Sequence, residues 1–216
     1  MSIVSAAGPE TPDRLSLREL RDDGWLSTAL GRLAAGAFAP LLPAVTGSTV
    51  AVVLLAVGIG PLGGVSLLAP VAALLLAGVG AAHAHDGRWD WAVPLLLRGT
   101  EYLYVLALGF GAGVPLPLPF ALVAALAARD WARGCPSQPR GPDGLGIAML
   151  GWDGRMLVLA VGGMLDALPF AFGLLAGYLW VLNVWAVGSR WLDTELGDGR
   201  AGHQRRTPGS AETAER

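Results

Sequence analysis

Arg98 and Glu101 stand inside an otherwise apolar run, Ala92 to Phe110. An ionisable side chain in such a run costs about 2.5–3.5 kcal/mol on membrane-insertion scales, so it turns toward a bundle interior or a wet cavity. Three residues apart on a helix, the two are within pairing reach. Two roles are open to them: a substrate- or ion-binding pair, or a structural ion pair between helices. Asp86 and Asp90 precede them and share a helical face with Glu101 if one helix continues through all three. Carboxylates combined with substrate phosphate are what Mg²⁺ prefers, so Asp86 and Asp90 are candidate ligands for Mg²⁺ or Mn²⁺, and Glu101 a candidate base. The helical rise from Asp86 to Glu101, about 22 Å, excludes all three from one ion. A solvated loop face is the alternative.

Arg129, Asp130 and Arg133 close a second apolar run, and Asp153-Gly154-Arg155 opens a third. Guanidiniums there suit phosphate. The Asp153 segment reads either as an anion contact at a helix start or as an N-cap followed by a topology-setting arginine. His83 and His85 are two apart and do not share a helical face; interfacial histidines describe them better than a metal site. Cys135 is the single cysteine, which excludes an intrachain disulfide and a thiolate cage. The sequence contains no nucleotide-binding glycine loop, no Ser/His/Asp arrangement and no zinc-protease helix. No basic-aromatic surface points to nucleic acid.

The elements that position these groups follow from the solvent. The 216 residues are 53% hydrophobic and 15% charged, where a soluble domain carries about 25% charged residues. Lipid is the implied surrounding. Leu33 to His85 holds no charged residue, and a single span needs about 20, so two spans fit there, Leu42–Ile59 and Val65–His83, around a turn at residues 60–64. Further spans are expected at Ala92–Phe110, Phe120–Arg133, Asp153–Leu168 and Pro169–Arg190. Ahead of them, Leu15 to Leu33 is amphipathic and reads as an interfacial helix, broken at Asp22-Asp23-Gly24. Residues 1–13 and 196–216 read as disordered ends flanking a membrane domain over 14–195. The expectation is an all-α, polytopic transmembrane helix bundle of about six spans.

Orientation follows from arginine, the only basic residue besides histidine. Fourteen of the 15 fall in the N-terminal segment, the second-to-third and fourth-to-fifth connections and the C-terminal segment. None falls in the alternate connections, and the fifteenth is Arg98. The positive-inside rule makes the arginine side, with both termini, cytoplasmic. Trp25, Trp89, Trp91, Trp131, Trp152 and Trp191 fall at that same interface, where amphipathic rings settle.

The layout resembles that of the CDP-alcohol phosphatidyltransferases, which combine an N-terminal interfacial helix with six spans and the signature D-G-x2-A-R-x8-G-x3-D-x3-D. Asp86-Gly87, Gly99 and Glu101 carry the likeness. The segments around His85–Trp91 and Leu97–Tyr102 are also similar to an actinobacterial membrane domain found fused to or beside those transferases. Asp90 and Trp91 stand where the transferases have Ala-Arg, the glycine is one position early, and the two downstream aspartates are missing. In that family the aspartates hold metal and activate the alcohol.

The resemblance implies a cytoplasm-facing cavity for a phosphorylated lipid or nucleotide-lipid. Asp86, Asp90 and Glu101 would do catalytic work there, Asp86 and Asp90 as metal ligands. Gly87, Arg98, Arg129, Arg133 and Asp130 would bind substrate. Whether catalysis persists is open at this point. The alternative is a non-catalytic membrane subunit, a homodimer or partner-bound protein, or a small transporter.

Overall fold

The computed structural model describes residues 21–58, 64–83, 87–134 and 150–204. Among them the chain is all helical, with α1 at Trp25–Leu33, α2 at Leu41–Gly58, α3 at Leu68–Leu75, α4 at Ala92–Gly111, α5 at Pro117–Gly134, α6 at Trp152–Met164 and α7 at Leu168–Gln204. Short 3₁₀ turns, Gly64–Leu67 and Leu76–Gly80, flank α3. Asp86, His85 and Cys135 lie outside the described residues, as do the termini 1–20 and 205–216.

Two helices are long and apolar enough to cross a membrane by length and composition, Ala92–Gly111 and Leu168–Ser189, with mean hydropathy of 1.2 and 1.7. Of the other expected spans, the first keeps its expected length and the second and fifth do not. α2 is uncharged and 18 residues long. The second expected span is divided into two 3₁₀ turns around an eight-residue helix. The fifth, α6, has 13 residues, about 20 Å at 1.5 Å per residue.

α6 is packed on several sides. It touches α1, α3, α4 and α7, and Trp152, Asp153, Gly154, Arg155 and Met156 are all buried. Trp152, expected at an interface, is instead inside, its indole Nε1 donating to Asp23 Oδ1 at 3.1 Å. α7 returns from α6 through a turn in which Asp166 has φ of 54° and then runs along α5. Trp180 Nε1 and Asn183 Nδ2 donate to the Ala121 and Ala125 carbonyls of α5. The apolar core joins Leu74, Leu97, Tyr104, Leu122, Met156, Leu159 and Phe172 from five helices.

Around this apolar core, large apolar side chains are also exposed and several charges are buried. Val57, Phe120, Leu42 and Phe170 are exposed, each by more than 70%, while Arg21, Glu101, Arg129, Asp153 and Arg155 are buried. Trp25, Trp89, Trp91, Trp131 and Trp191 are exposed.

Candidate functional site

The first half of α4, the C-terminal end of α5, the start of α6 and the strap from Arg21 to Gly24 meet in one polar cluster. The turn after α4 reverses the chain into α5, and the hydrogen bonds from Arg129, Arg133 and Arg155 place the end of α5 and the start of α6 beside the strap. Asp22 is at the centre. Its Oδ1 accepts from Arg129 Nη2 and Arg133 Nη2, both at 2.7 Å, and its Oδ2 from Arg155 Nη1 at 2.8 Å. Burial by itself would raise the Asp22 pKa; the guanidiniums of Arg155, Arg129 and Arg133 outweigh it and lower the value from 3.8 to about 2.

Arg155 also reaches α4. Its Nε and Nη2 donate to Glu101 Oε1 and Oε2 at 2.6 and 2.9 Å. This corrects the expected Arg98–Glu101 pair. Arg98 instead lies 3.3 Å from Asp130 Oδ1 on α5, and Tyr102 donates to Asp130 Oδ2 at 2.7 Å. Spacing along one helix allowed Arg98 and Glu101 to meet, but both are drawn across to other helices. Both Glu101 oxygens are engaged by Arg155, so the arrangement makes Glu101 a counter-ion and leaves it poorly placed to act as a base.

The strap is fastened on either side of Asp22. Arg21 donates to both Asp23 oxygens and to the Ala77 carbonyl, and the Trp152 amide donates to the Asp22 carbonyl at 3.2 Å. Asp153 Oδ2 accepts from the Ser27 amide at 2.8 Å and from its hydroxyl at 3.2 Å, tying α6 to α1. Asp153 is therefore a clasp for α1, where the sequence suggested an anion contact or the cap of its own helix. Gly24 and Gly151 lie so close that a Cβ on Gly151 would collide with the Gly24 backbone nitrogen.

Of the expected site residues, Arg98, Glu101, Arg129, Asp130 and Arg133 come together here. Asp90 is engaged at the turn that leads into α4, where it is buried and its Oδ2 accepts from the Gly87 amide at 3.0 Å. Gly87 is exposed at that turn. The expected pairing of Asp90 with Asp86 falls outside the described residues. Among the described residues no group of three or more His, Cys, Asp or Glu is arranged to hold a metal. Asp22, which the sequence marked only as part of a helix break, is the residue that sequence reasoning left out of the site; Arg155, read there as part of an anion contact with Asp153, pairs instead with Glu101 and Asp22.

A family model described as "Family of unknown function (DUF5941)" matches residues 13–189. No curated protein and no solved structure matches the chain.

Proposed function

The chain belongs to the family DUF5941, and on that premise we propose that it is a multi-pass protein of the cytoplasmic membrane that binds a phosphorylated lipid headgroup at the Asp22 arginine cluster. The observation that carries this reading is the convergence of Arg129, Arg133 and Arg155 on one carboxylate. Together with Glu101 the group has three guanidiniums against two carboxylates, a surplus of one positive charge. Guanidinium forks suit phosphate oxygens better than any other side chain does. The exposed apolar helix faces and the buried charges support lipid as the surrounding solvent. The one-sided arginine distribution supports a cytoplasmic opening, cytoplasmic termini and up to six crossings, the shorter helices completing theirs with local thinning or 3₁₀ extension.

In this reading the chain shares the layout of headgroup transferases. A divalent ion, Mg²⁺ or Mn²⁺, would be held by Asp86 and Asp90. Glu101 would not join them, because its oxygens are committed to Arg155.

The test is native mass spectrometry of gently extracted protein. Wild type is expected to retain an anionic phospholipid, and Arg133→Ala to lose it. Equal retention by the two would remove the proposal. The buried Arg155–Glu101 fork favours a second reading, a non-catalytic membrane subunit whose charges only lock helices. It would be recognised by co-purification of a second membrane protein with no bound lipid.

A further inference from the structure

Three features of the arginine cluster specify its ligand more closely. A carboxylate offers two oxygens, and both of Asp22's are taken. Arg133 Nη1 nevertheless remains buried with no hydrogen-bond partner among the described residues. A group with three terminal oxygens would serve the same guanidiniums and this one as well.

The second feature is charge. With the Asp22 side chain withdrawn and Glu101 kept, three guanidiniums face one carboxylate, a surplus of two positive charges. A phosphomonoester carries about −1.5 to −2 near neutrality, whereas a diester carries only one negative charge.

The third is access. The side chains of Arg129 and Arg155 are 6% and 4% exposed, but that of Arg133 is 26% exposed. Arg133, which also carries the unmet donor, is thus the guanidinium of the three nearest to solvent.

The backbone setting of Asp22 favours displacement. Its φ of 56° lies in the left-handed region, which a non-glycine residue occupies at a cost. Its strap neighbours Arg21 and Asp23 are fastened elsewhere, to Ala77 and Trp152. The Asp22 carboxylate is the strap group that enters the niche.

We propose that the Arg129–Arg133–Arg155 niche is a phosphomonoester site and that Asp22 is its resident stand-in, which a terminal phosphate must displace. This rests on the headgroup-binding reading above and adds to it the ligand class and an internal competitor. No bond is made or broken in this step; one anion replaces another.

The experiment titrates full-length protein in detergent with short-chain phosphatidate, with the diester phosphatidylglycerol, and with inorganic phosphate as competitor. Wild type is expected to prefer phosphatidate about tenfold or more, the equivalent of one charge-assisted hydrogen bond. Asp22→Asn should tighten phosphatidate binding by about the same factor, and Arg133→Ala should erase the preference for the monoester. Hydrogen exchange across residues 21–28 of wild type should rise with phosphatidate and stay unchanged with phosphatidylcholine. If Asp22→Asn does not fold, the wild-type lipid preference and the exchange readout decide.

Full competition by inorganic phosphate would identify the phosphate group alone as the ligand. Absence of competition, with the lipid preference intact, would identify a phosphomonoester lipid. Equal binding of both lipids, still dependent on Arg133, or weaker binding by folded Asp22→Asn, would overturn the stand-in while leaving headgroup binding in place. No binding of any anionic lipid would overturn both.

Discussion

Arg155 grips Glu101 through two parallel hydrogen bonds across 54 positions of sequence, Nε to Oε1 at 2.6 Å and Nη2 to Oε2 at 2.9 Å. The same guanidinium reaches Asp22 through Nη1. One side chain on the central helix thus joins α4 to the N-terminal strap.

Removing that side chain should be costly. Arg155→Met leaves Glu101 buried without its counter-ion, and breaking a buried pair from one side costs about 3–5 kcal/mol. The double variant Glu101→Gln with Arg155→Met should be more stable than Arg155→Met alone, since the orphaned charge is gone. Denaturant titration in detergent checks the order of the three proteins.

Acid should loosen the strap within a defined window. The folded pKa of Asp22 is lowered from 3.8 to about 2, so its carboxylate contributes fully above the unfolded value and the contribution fades as pH falls through the folded one. The contribution at neutral pH is on the order of 2 kcal/mol. Melting temperatures followed from about pH 5 down to about pH 2 should fall for wild type, and Asp22→Asn should lack this component.

The clasp between α6 and α1 depends on charge. Asp153→Asn replaces a carboxylate that accepts two bonds from Ser27 with a weaker acceptor, a loss of about 1.5–3 kcal/mol. Limited proteolysis should then cut α1 faster, with α5 and α7 unaffected. Gly151→Ala should give the same pattern, because its methyl would press on the Gly24 backbone.

Orientation can be read from cysteine labelling. Cys135, the single cysteine, lies in the sequence between α5 and α6, on the arginine-rich side. An impermeant maleimide should react with it in inverted vesicles and not in intact cells. A cysteine at Gly113, in the α4–α5 turn of the cysteine-free chain, should do the reverse. Labelling of both from one side would remove the proposed topology.

The α5–α7 contact should be modest in strength. Asn183→Leu removes a bond to the Ala125 carbonyl, and interhelical bonds in membranes average about 0.6 kcal/mol. A larger drop in melting temperature than Arg155→Met produces would show that this estimate misplaces the main tie between helices.

Much of the helical layout was legible. The apolar run expected at Ala92–Phe110 is α4, Ala92–Gly111. The chain is non-helical at Asp22-Asp23-Gly24, where a break was expected, with Asp22 at positive φ. These are local signals, written in hydropathy and turn chemistry within a few residues. The lengths of the second and fifth spans were less legible, because a helix packed on several sides lacks a single apolar face whose period would mark where it stops.

The amino-acid order alone determined an all-helical chain with its charges gathered at one set of helix ends, because hydropathy and charge are properties of neighbours along the chain. Only the tertiary structure decided which charges meet. Glu101 had a partner three residues away and took one 54 positions on; Asp22, a helix breaker by its sequence, became the centre of three guanidiniums up to 133 positions distant. Pairing of buried charges is settled by which helices touch and at what height, and spacing along one strand of sequence does not encode that height.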